Sequence, residues 1–107
     1  MTVTYDDFAK LEINTVRITS IEPIAGKTRI AKGMIDVGER RLQVIVGGVD
    51  KFDPTSLIGR QAVAVTNLEP KNIAGVLSEA MLLAADVDGM PFWLAPQGDV
   101  PDGTRIK

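Results

Sequence analysis

Two apolar runs on either side of a polar elbow (residues 66–79) limit what this chain can fold into. The first run, Ala62–Val65, is short, rich in valine and bounded by turn residues, so it predicts a buried strand. The second run, Ala80–Ala85, fits a strand or a helix by pattern alone. It leads into an Asp-Val-Asp-Gly sequence typical of hairpin turns, which favours a strand. Within the elbow, Pro70 lacks a backbone donor and Gly75 permits a positive φ, so we expect the chain to leave the sheet there and return.

Short strands separated by glycine and proline make up most of the remaining chain. From Leu11 the apolar residues alternate, first at odd and then at even positions, and the slip predicts a bulge near Asn14–Thr15 or a strongly coiled strand. Two more strands, residues 28–37 and 41–46, are predicted on either side of a hairpin that contains glycine. Gly47–Gly48 ends the second of them and indicates a sharp bend or a close approach of another backbone segment.

Local signals also predict structure outside these strands. Asp53 suits an N-cap, Pro54 suits the first helical position and Gly59 stops a helix, so we expect a single helical turn there. A last strand is predicted over residues 90–95, and its proline favours an edge position. The segment 96–107 is expected to be irregular but docked.

The first nine residues allow two interpretations. Thr4 would cap a short helical turn over residues 5–8, or Tyr5 and Phe8 would pin an extended arm. Five or six short strands without a βαβ unit favour a small closed barrel over a sandwich. We therefore predict an all-β fold with one short helix and an irregular C-terminal extension, as a single domain over residues 1–107.

The composition excludes several classes of function. The chain contains no cysteine and no histidine, which removes disulfides, thiol nucleophiles, the usual zinc sites and histidine base catalysis. Ser78 therefore has no histidine to activate it. The acidic pairs Asp50/Asp53 and Asp99/Asp102 lie in connections, where turn and cap roles explain them. We predict that the chain is not an enzyme and has no catalytic residues, metal site or cofactor.

Charge and hydropathy set further expectations. The net charge of −2 and the pI near 5.0 make the chain as a whole a poor match for polyanions such as nucleic acids. No apolar run approaches the roughly 18 residues of a membrane helix, and no basic-then-apolar leader is visible. We accordingly expect a cytoplasmic protein without a membrane segment, which the absence of cysteine also fits.

The elbow and the residues around it resemble a known family. The run Asn67–Lys71, then Gly75, then Ser78–Ala85 is similar to the tRNA-binding OB-fold domain. This domain occurs in free-standing dimeric tRNA-binding proteins, as the C-terminal part of many methionyl-tRNA synthetases, in auxiliary synthetase cofactors and in the secretion chaperone CsaA. The segments that extend the resemblance over nearly the whole chain are Phe8–Ile13, Val46–Val49, Pro54–Gly59 and Val100–Thr104. The resemblance implies a five-stranded Greek-key barrel of the OB type.

The resemblance also implies an RNA-binding face made of cations, hydrogen-bonding groups and one apolar side chain. The residues that would bind RNA are Lys10, Lys27, Arg29, Asn67, Lys71, Ser78 and Met81. Asn67 and Ser78 would hydrogen-bond ribose or a base edge, and Met81 would pack beneath an unstacked base. Each residue type also has a simpler interpretation, since Asn67 would turn the chain, Met81 would join the core and exposed lysines are usually solvated.

Several positions depart from the family's pattern, and most of these changes make the predicted face less basic. Glu69 and Asn72 stand where the family usually has basic residues. Glu79 and Ala80 alter its Ser-Gln-Gly-Met signature, and Asn14 replaces an arginine. Because a carboxylate repels phosphate, we expect tRNA binding to be weak and strongly salt-dependent.

Two functions from different classes remain open. The first is a structure-specific tRNA-binding module, either free-standing or acting in trans with an aminoacyl-tRNA synthetase. The second is a CsaA-like export chaperone, a homodimer that binds unfolded peptide and little RNA; the less basic face and an expected exposed strand carrying Phe92 and Trp93 favour it. The resemblance implies a homodimer, and the residues that would supply contact area are Phe92, Trp93, Leu94 and Ile106.

Overall fold

The computed structural model describes residues 1–107 as a nearly closed antiparallel barrel with two small added hairpins. In chain order the elements are α1 (Tyr5–Ala9), β1 (Ile13–Pro23), β2 (Ile30–Val37), β3 (Arg40–Gly47), a 3₁₀ turn (Pro54–Leu57), β4 (Gln61–Val65), β5 (Lys71–Ile73), β6 (Val76–Ser78), β7 (Met81–Leu82), β8 (Ala84–Val87) and β9 (Met90–Trp93). The five-stranded sheet has the order β3-β2-β1-β4-β7, while β5–β6 and β8–β9 pair as separate hairpins. The predicted all-β barrel of the OB type is confirmed. Neither helical segment is long and apolar enough to cross a membrane.

The barrel closes where β3 meets the connection between β6 and β7. The backbone N–H of Glu79 donates to the carbonyl of Gln43 at 2.8 Å, and the Glu79 carboxylate accepts the backbone N–H of Gln43 at 2.9 Å. The Gln43 side chain also donates to the carbonyl of Leu77 at 2.9 Å. A side chain therefore completes the pairing that a further strand residue would supply in a regular ladder.

The barrel interior is filled by alternate residues of the strands. In β2 every second residue is buried from Ala31 to Val37, as expected for a strand with one face against a core. In β4 four consecutive residues are buried, because one face packs inside the barrel and the other is covered from outside. The buried strand predicted at Ala62–Val65 is confirmed.

The slip in the β1 pattern has a different cause from the predicted one. β1 pairs with β4 without interruption from Ile13 to Arg17, so the bulge predicted near Asn14–Thr15 is wrong. The register shift lies farther along, between Ile18 and Ser20, where β1 pairs with β2. The odd-numbered Ile13 and Thr15 are buried on the outer face, whereas Val16 and Ile18 belong to the barrel core.

The C-terminal segment covers that outer face of β1. Backbone hydrogen bonds join Thr15 to Thr104 at 2.9 Å and Ile106 to Ile13 at 2.8 Å. The guanidinium of Arg17 contacts Asp99 and Asp102, at 3.2 Å each, and donates to the carbonyl of Gly59 at 2.8 Å. Hydrogen bonds to Asp99 and then to Asp102 raise the pKa of Arg17 above its ordinary value. The irregular but docked C-terminal extension is confirmed.

Two short helical segments are present where the sequence predicted one. The turn at Pro54–Leu57 begins as predicted, with the Asp53 carboxylate accepting the backbone N–H of Thr55 at 3.1 Å, and it is a 3₁₀ turn. The second segment is α1, where the hydroxyl oxygen of Thr4 accepts the N–H of Asp7 at 3.1 Å. Of the two N-terminal interpretations, the capped helix is therefore correct.

The glycine pair after β3 permits a close approach, as predicted. Gly48 has a φ of +69°, and a Cβ atom placed on it would lie 2.7 Å from Cδ of Pro91. Only glycine fits both the backbone conformation and this contact. The β8–β9 hairpin is thereby packed against the end of β3.

Candidate functional site

The elbow is a small hairpin with a well-defined turn. Lys71 pairs with Ser78 across β5 and β6, and the turn residues Ala74 and Gly75 both have positive φ, at 53° and 82°. This is the requirement of a two-residue type I′ turn. The side chain of Asn72 accepts the N–H of Gly75 at 3.1 Å and fixes the turn further. The predicted departure and return of the chain is confirmed, and the elbow presents its side chains from paired backbone.

A cavity of about 560 Å³ lies between this hairpin and the barrel. Seven of its eleven lining residues are hydrophobic, so its floor is apolar, and it reaches from the hairpin to the end of β9. Its hydrophobic lining includes Leu68, Ile73, Met81 and Trp93, and its polar lining includes Glu69, Lys71 and Ser78. Three of the seven predicted RNA-binding residues, Lys71, Ser78 and Met81, therefore meet at one cavity.

Met81 is open to the cavity rather than part of the core. Its side chain is 49% exposed, whereas its neighbours Ala80 and Leu82 are buried. The alternation follows from the two-residue period of the strand, which sends Leu82 into the barrel and Met81 outward. The alternative that placed Met81 in the core is wrong.

Lys71 supplies positive charge at the cavity. None of the five ion pairs in the structure involves it, so its ammonium group is free to contact a ligand. The hydroxyl of Ser78 donates to the carbonyl of Ala80 at 3.1 Å, and its oxygen remains able to accept. The cavity thus combines a free cation, a hydroxyl acceptor and an apolar floor.

The two acidic residues of the elbow have different surroundings. The Glu79 carboxylate is engaged with the backbone of Gln43 at the barrel seam. The exposed Glu69, in contrast, lines the cavity together with Lys71. Asn14 lies elsewhere, since its side chain donates to the carbonyl of Gly103 at 3.2 Å and accepts from Thr66 at 2.8 Å. Of these departures from the family pattern, Glu69 is the one that adds charge to the cavity.

Asn67 and Lys10 lie outside the cavity and contact each other. The side chain of Asn67 accepts the N–H of Glu12 at 2.8 Å and donates to the carbonyl of Lys10 at 2.7 Å. It thereby ties the end of β4 to the segment before β1, a long-range structural role that differs from the local turn considered in the sequence analysis. The ammonium of Lys10 is exposed and lies 3.4 Å from Asp7.

A second cavity, of about 390 Å³ and lined by no hydrophobic residue, lies beside the start of β2. Arg29 lines it together with Lys51, a residue that the sequence analysis missed although a basic residue three positions after a glycine pair is a visible signal. Neither cation belongs to an ion pair, and Asp50 lies in the same cavity. Lys27 is exposed in the turn that precedes β2. The structure does not bring Lys27 or Arg29 to the elbow cavity.

Trp93 also lines the elbow cavity, which differs from its predicted position. The sequence predicts an exposed strand carrying both Phe92 and Trp93, but only Phe92 is exposed, at 54%. The Trp93 ring packs against the barrel core, edge-on to Phe52 with ring centroids 6.0 Å apart. The cause is the strand period, which turns neighbouring side chains of β9 to opposite faces.

Comparisons with known proteins agree on one family. The family model described as "Putative tRNA binding domain" matches residues 13–105. Methionine–tRNA ligases of Clostridium tetani and Methanothrix thermoacetophila are 36% and 38% identical to this chain over 98% of its length, but the chain spans only 17% and 16% of theirs. Among solved structures, a MetRS-related protein from Pyrococcus horikoshii has a TM-score of 0.93 and 27% identity, covering 100% of this chain and 99% of its own. The chaperone CsaA from Bacillus anthracis str. Ames has a TM-score of 0.89 and 30% identity, with 100% of both chains covered.

Proposed function

Because this chain belongs to the tRNA-binding domain family, we propose that it is a structure-specific tRNA-binding module, free-standing or acting in trans with an aminoacyl-tRNA synthetase. We assign it no catalytic step. The observation that carries the proposal is the elbow cavity, where Lys71, Ser78 and Met81 meet over an apolar floor.

The cavity has the chemistry that single-stranded or bent RNA requires. An unstacked base gains stability from packing on apolar or aromatic side chains, and Met81 and Trp93 offer such surfaces. Lys71 at the same cavity would contact a backbone phosphate, and Ser78 would accept from a ribose hydroxyl. A longer RNA would reach beyond this cavity and contact the remaining predicted residues, Lys10, Lys27, Arg29 and Asn67.

A salt titration with bulk tRNA tests this function. We expect measurable binding at low ionic strength and a linear fall of log affinity with log salt, with a slope of roughly 0.7 to 0.9 for each phosphate contacted. The binding should be weak and strongly salt-dependent, because Glu69 lines the same cavity as Lys71 and repels phosphate. Absence of binding at low salt, or binding that salt does not affect, would overturn the proposal.

A CsaA-like peptide-binding chaperone is the second candidate function. The apolar character of the cavity floor favours it, since an apolar groove suits extended peptide as well as a base. An unfolded peptide of mixed sequence is the probe. Binding of this peptide at physiological salt, either in competition with tRNA or where tRNA does not bind, would favour the chaperone function over tRNA binding.

We also propose that the protein acts as a homodimer. Phe92 and Leu94 remain exposed at the end of β9, and Tyr5 and Phe8 of α1 are exposed beside a cavity of about 260 Å³ near Ile106. Trp93 and Ile106 contribute less area than expected, because Trp93 packs partly against the barrel core and Ile106 packs partly against the outer face of β1 and β4. Sedimentation should give a dimer at micromolar concentration, and a monomer would contradict this assembly.

The domain organisation and the cellular location that we propose follow from tRNA as the ligand. We propose that residues 1–107 act as one tRNA-binding domain and that the protein works in the cytoplasm, where tRNA and synthetases meet. Co-purification with a synthetase after mild crosslinking would support action in trans.

A further inference from the structure

The indole N–H of Trp93 is the one buried side-chain polar atom in the structure that has no hydrogen-bond partner. Buried donors are almost always satisfied in native proteins, and an exception calls for an explanation. A tryptophan that served only to fill the core would not need this donor, because phenylalanine packs without one. The unpaired donor therefore points to an acceptor that arrives with a ligand.

Trp93 lines two cavities. One is the elbow cavity of about 560 Å³, and the other is a cavity of about 280 Å³ that Phe52 and Leu57 also line. The ring belongs to the β8–β9 hairpin, which pairs only with itself and not with the barrel sheet. Trp93 thus borders open space in two places, on a hairpin that the barrel ladder does not hold.

We propose that Trp93 is a specificity-determining residue of the elbow cavity, whose indole N–H donates to a carbonyl oxygen or ring nitrogen of an unstacked nucleobase. This inference rests on the proposed tRNA binding. The ring tilts toward the smaller cavity and uncovers the N–H, while Met81 packs on the face of the base. The acceptor is a base rather than a phosphate, because the cavity around Trp93 is apolar and its free cation is Lys71 on the elbow hairpin.

Trp93→Phe tests the role of the N–H, since phenylalanine keeps an aromatic ring and removes the donor. We expect tRNA affinity to fall about two- to tenfold, the range of one neutral hydrogen bond. The salt slope should stay unchanged, because the same phosphates remain neutralised. The thermal midpoint should change little, because the poorer packing is offset by removal of an unsatisfied buried donor. Val87→Ala, an exposed change on the same hairpin and outside both cavities, should leave affinity unchanged.

Fluorescence gives a second, independent readout, because Trp93 is the only tryptophan in the chain. We expect its emission to shift when tRNA is added to the wild-type protein. If tRNA binds but Trp93→Phe keeps full affinity and the emission does not move, the role of Trp93 is refuted while the proposed function stands. If the wild type binds no tRNA, both are overturned. If Trp93→Phe loses affinity for the peptide but not for tRNA, the acceptor of the indole N–H is a peptide carbonyl. That result would refute the nucleobase assignment.

Discussion

Replacing Glu79 with alanine should weaken the closure of the barrel. The Glu79 carboxylate accepts the backbone N–H of Gln43 at 2.9 Å in a partly buried setting, and alanine would leave that donor without its partner. A hydrogen bond to a charged group contributes about 1.5–3 kcal/mol. Because the backbone bond from Glu79 to Gln43 at 2.8 Å remains and water can reach part of the seam, we expect the free energy of unfolding to fall by about 1–2 kcal/mol.

Urea denaturation followed by circular dichroism measures this loss. With a slope of about 1–3 kcal/mol per molar urea, the midpoint should fall by roughly 0.5–1 M at an unchanged slope. Glu79→Gln is the matched control, because its amide oxygen still accepts the hydrogen bond. Its free energy of unfolding should fall clearly less than that of Glu79→Ala. Glu69→Ala removes the same charge from an exposed position and should stay within about 0.5 kcal/mol of the wild type. An alanine variant at position 79 as stable as the wild type would refute the role of this side chain in closure.

Three other substitutions test the cavity and its support. Glu69→Lys should raise tRNA affinity at low salt and steepen the salt slope by about 0.7–0.9 for each additional phosphate that the lysine neutralises, measured by the same titration. Lys71→Ala should weaken binding and flatten that slope; if neither substitution changes tRNA affinity, the elbow is not the RNA face. Gly48→Ala should lower the free energy of unfolding by about 1–3 kcal/mol, measured by urea denaturation, because its Cβ would lie 2.7 Å from Pro91 at a φ of +69°. A fully stable Gly48→Ala protein would show that the hairpin shifts freely.

Local chemistry makes the strands and turns of this chain predictable from the sequence. Asp88–Gly89 and the glycine of the elbow stand at positive φ, where few other residues are favourable. The valine run of β4 and the N-cap at Asp53 likewise act through neighbours in the sequence. The family resemblance adds the OB-type strand pairing and the location of the candidate site, because short strands alone favour a barrel but do not specify which strands pair.

The sequence-based predictions are wrong where distant segments decide the outcome. The apolar period of β1 shows which residues share a face, but it does not show that residues 99–106 cover the other face, so the pattern at Thr15 resembles that of a bulge. The structural role of Asn67 is hidden in the sequence, because its partners near residues 10–12 lie more than fifty positions away in the chain. The partial burial of Trp93 is hidden as well, because the two cavities that it lines exist only after the β8–β9 hairpin packs on the barrel.

The docking of the C-terminal segment on β1 also bears on when the protein can fold during synthesis. The hydrogen bond from the backbone N–H of Thr104 to the hydroxyl oxygen of Thr15 joins residues 89 positions apart. Such long-range pairing slows folding, because the loop must close before the contact stabilises it. A nascent chain that has already paired β1 with β4 would expose Ile13, Val63 and Val65 until the C-terminal segment emerges from the ribosome. During that interval the outer face of the sheet is an apolar region open to other nascent chains, and slow synthesis of the C-terminal segment should increase aggregation.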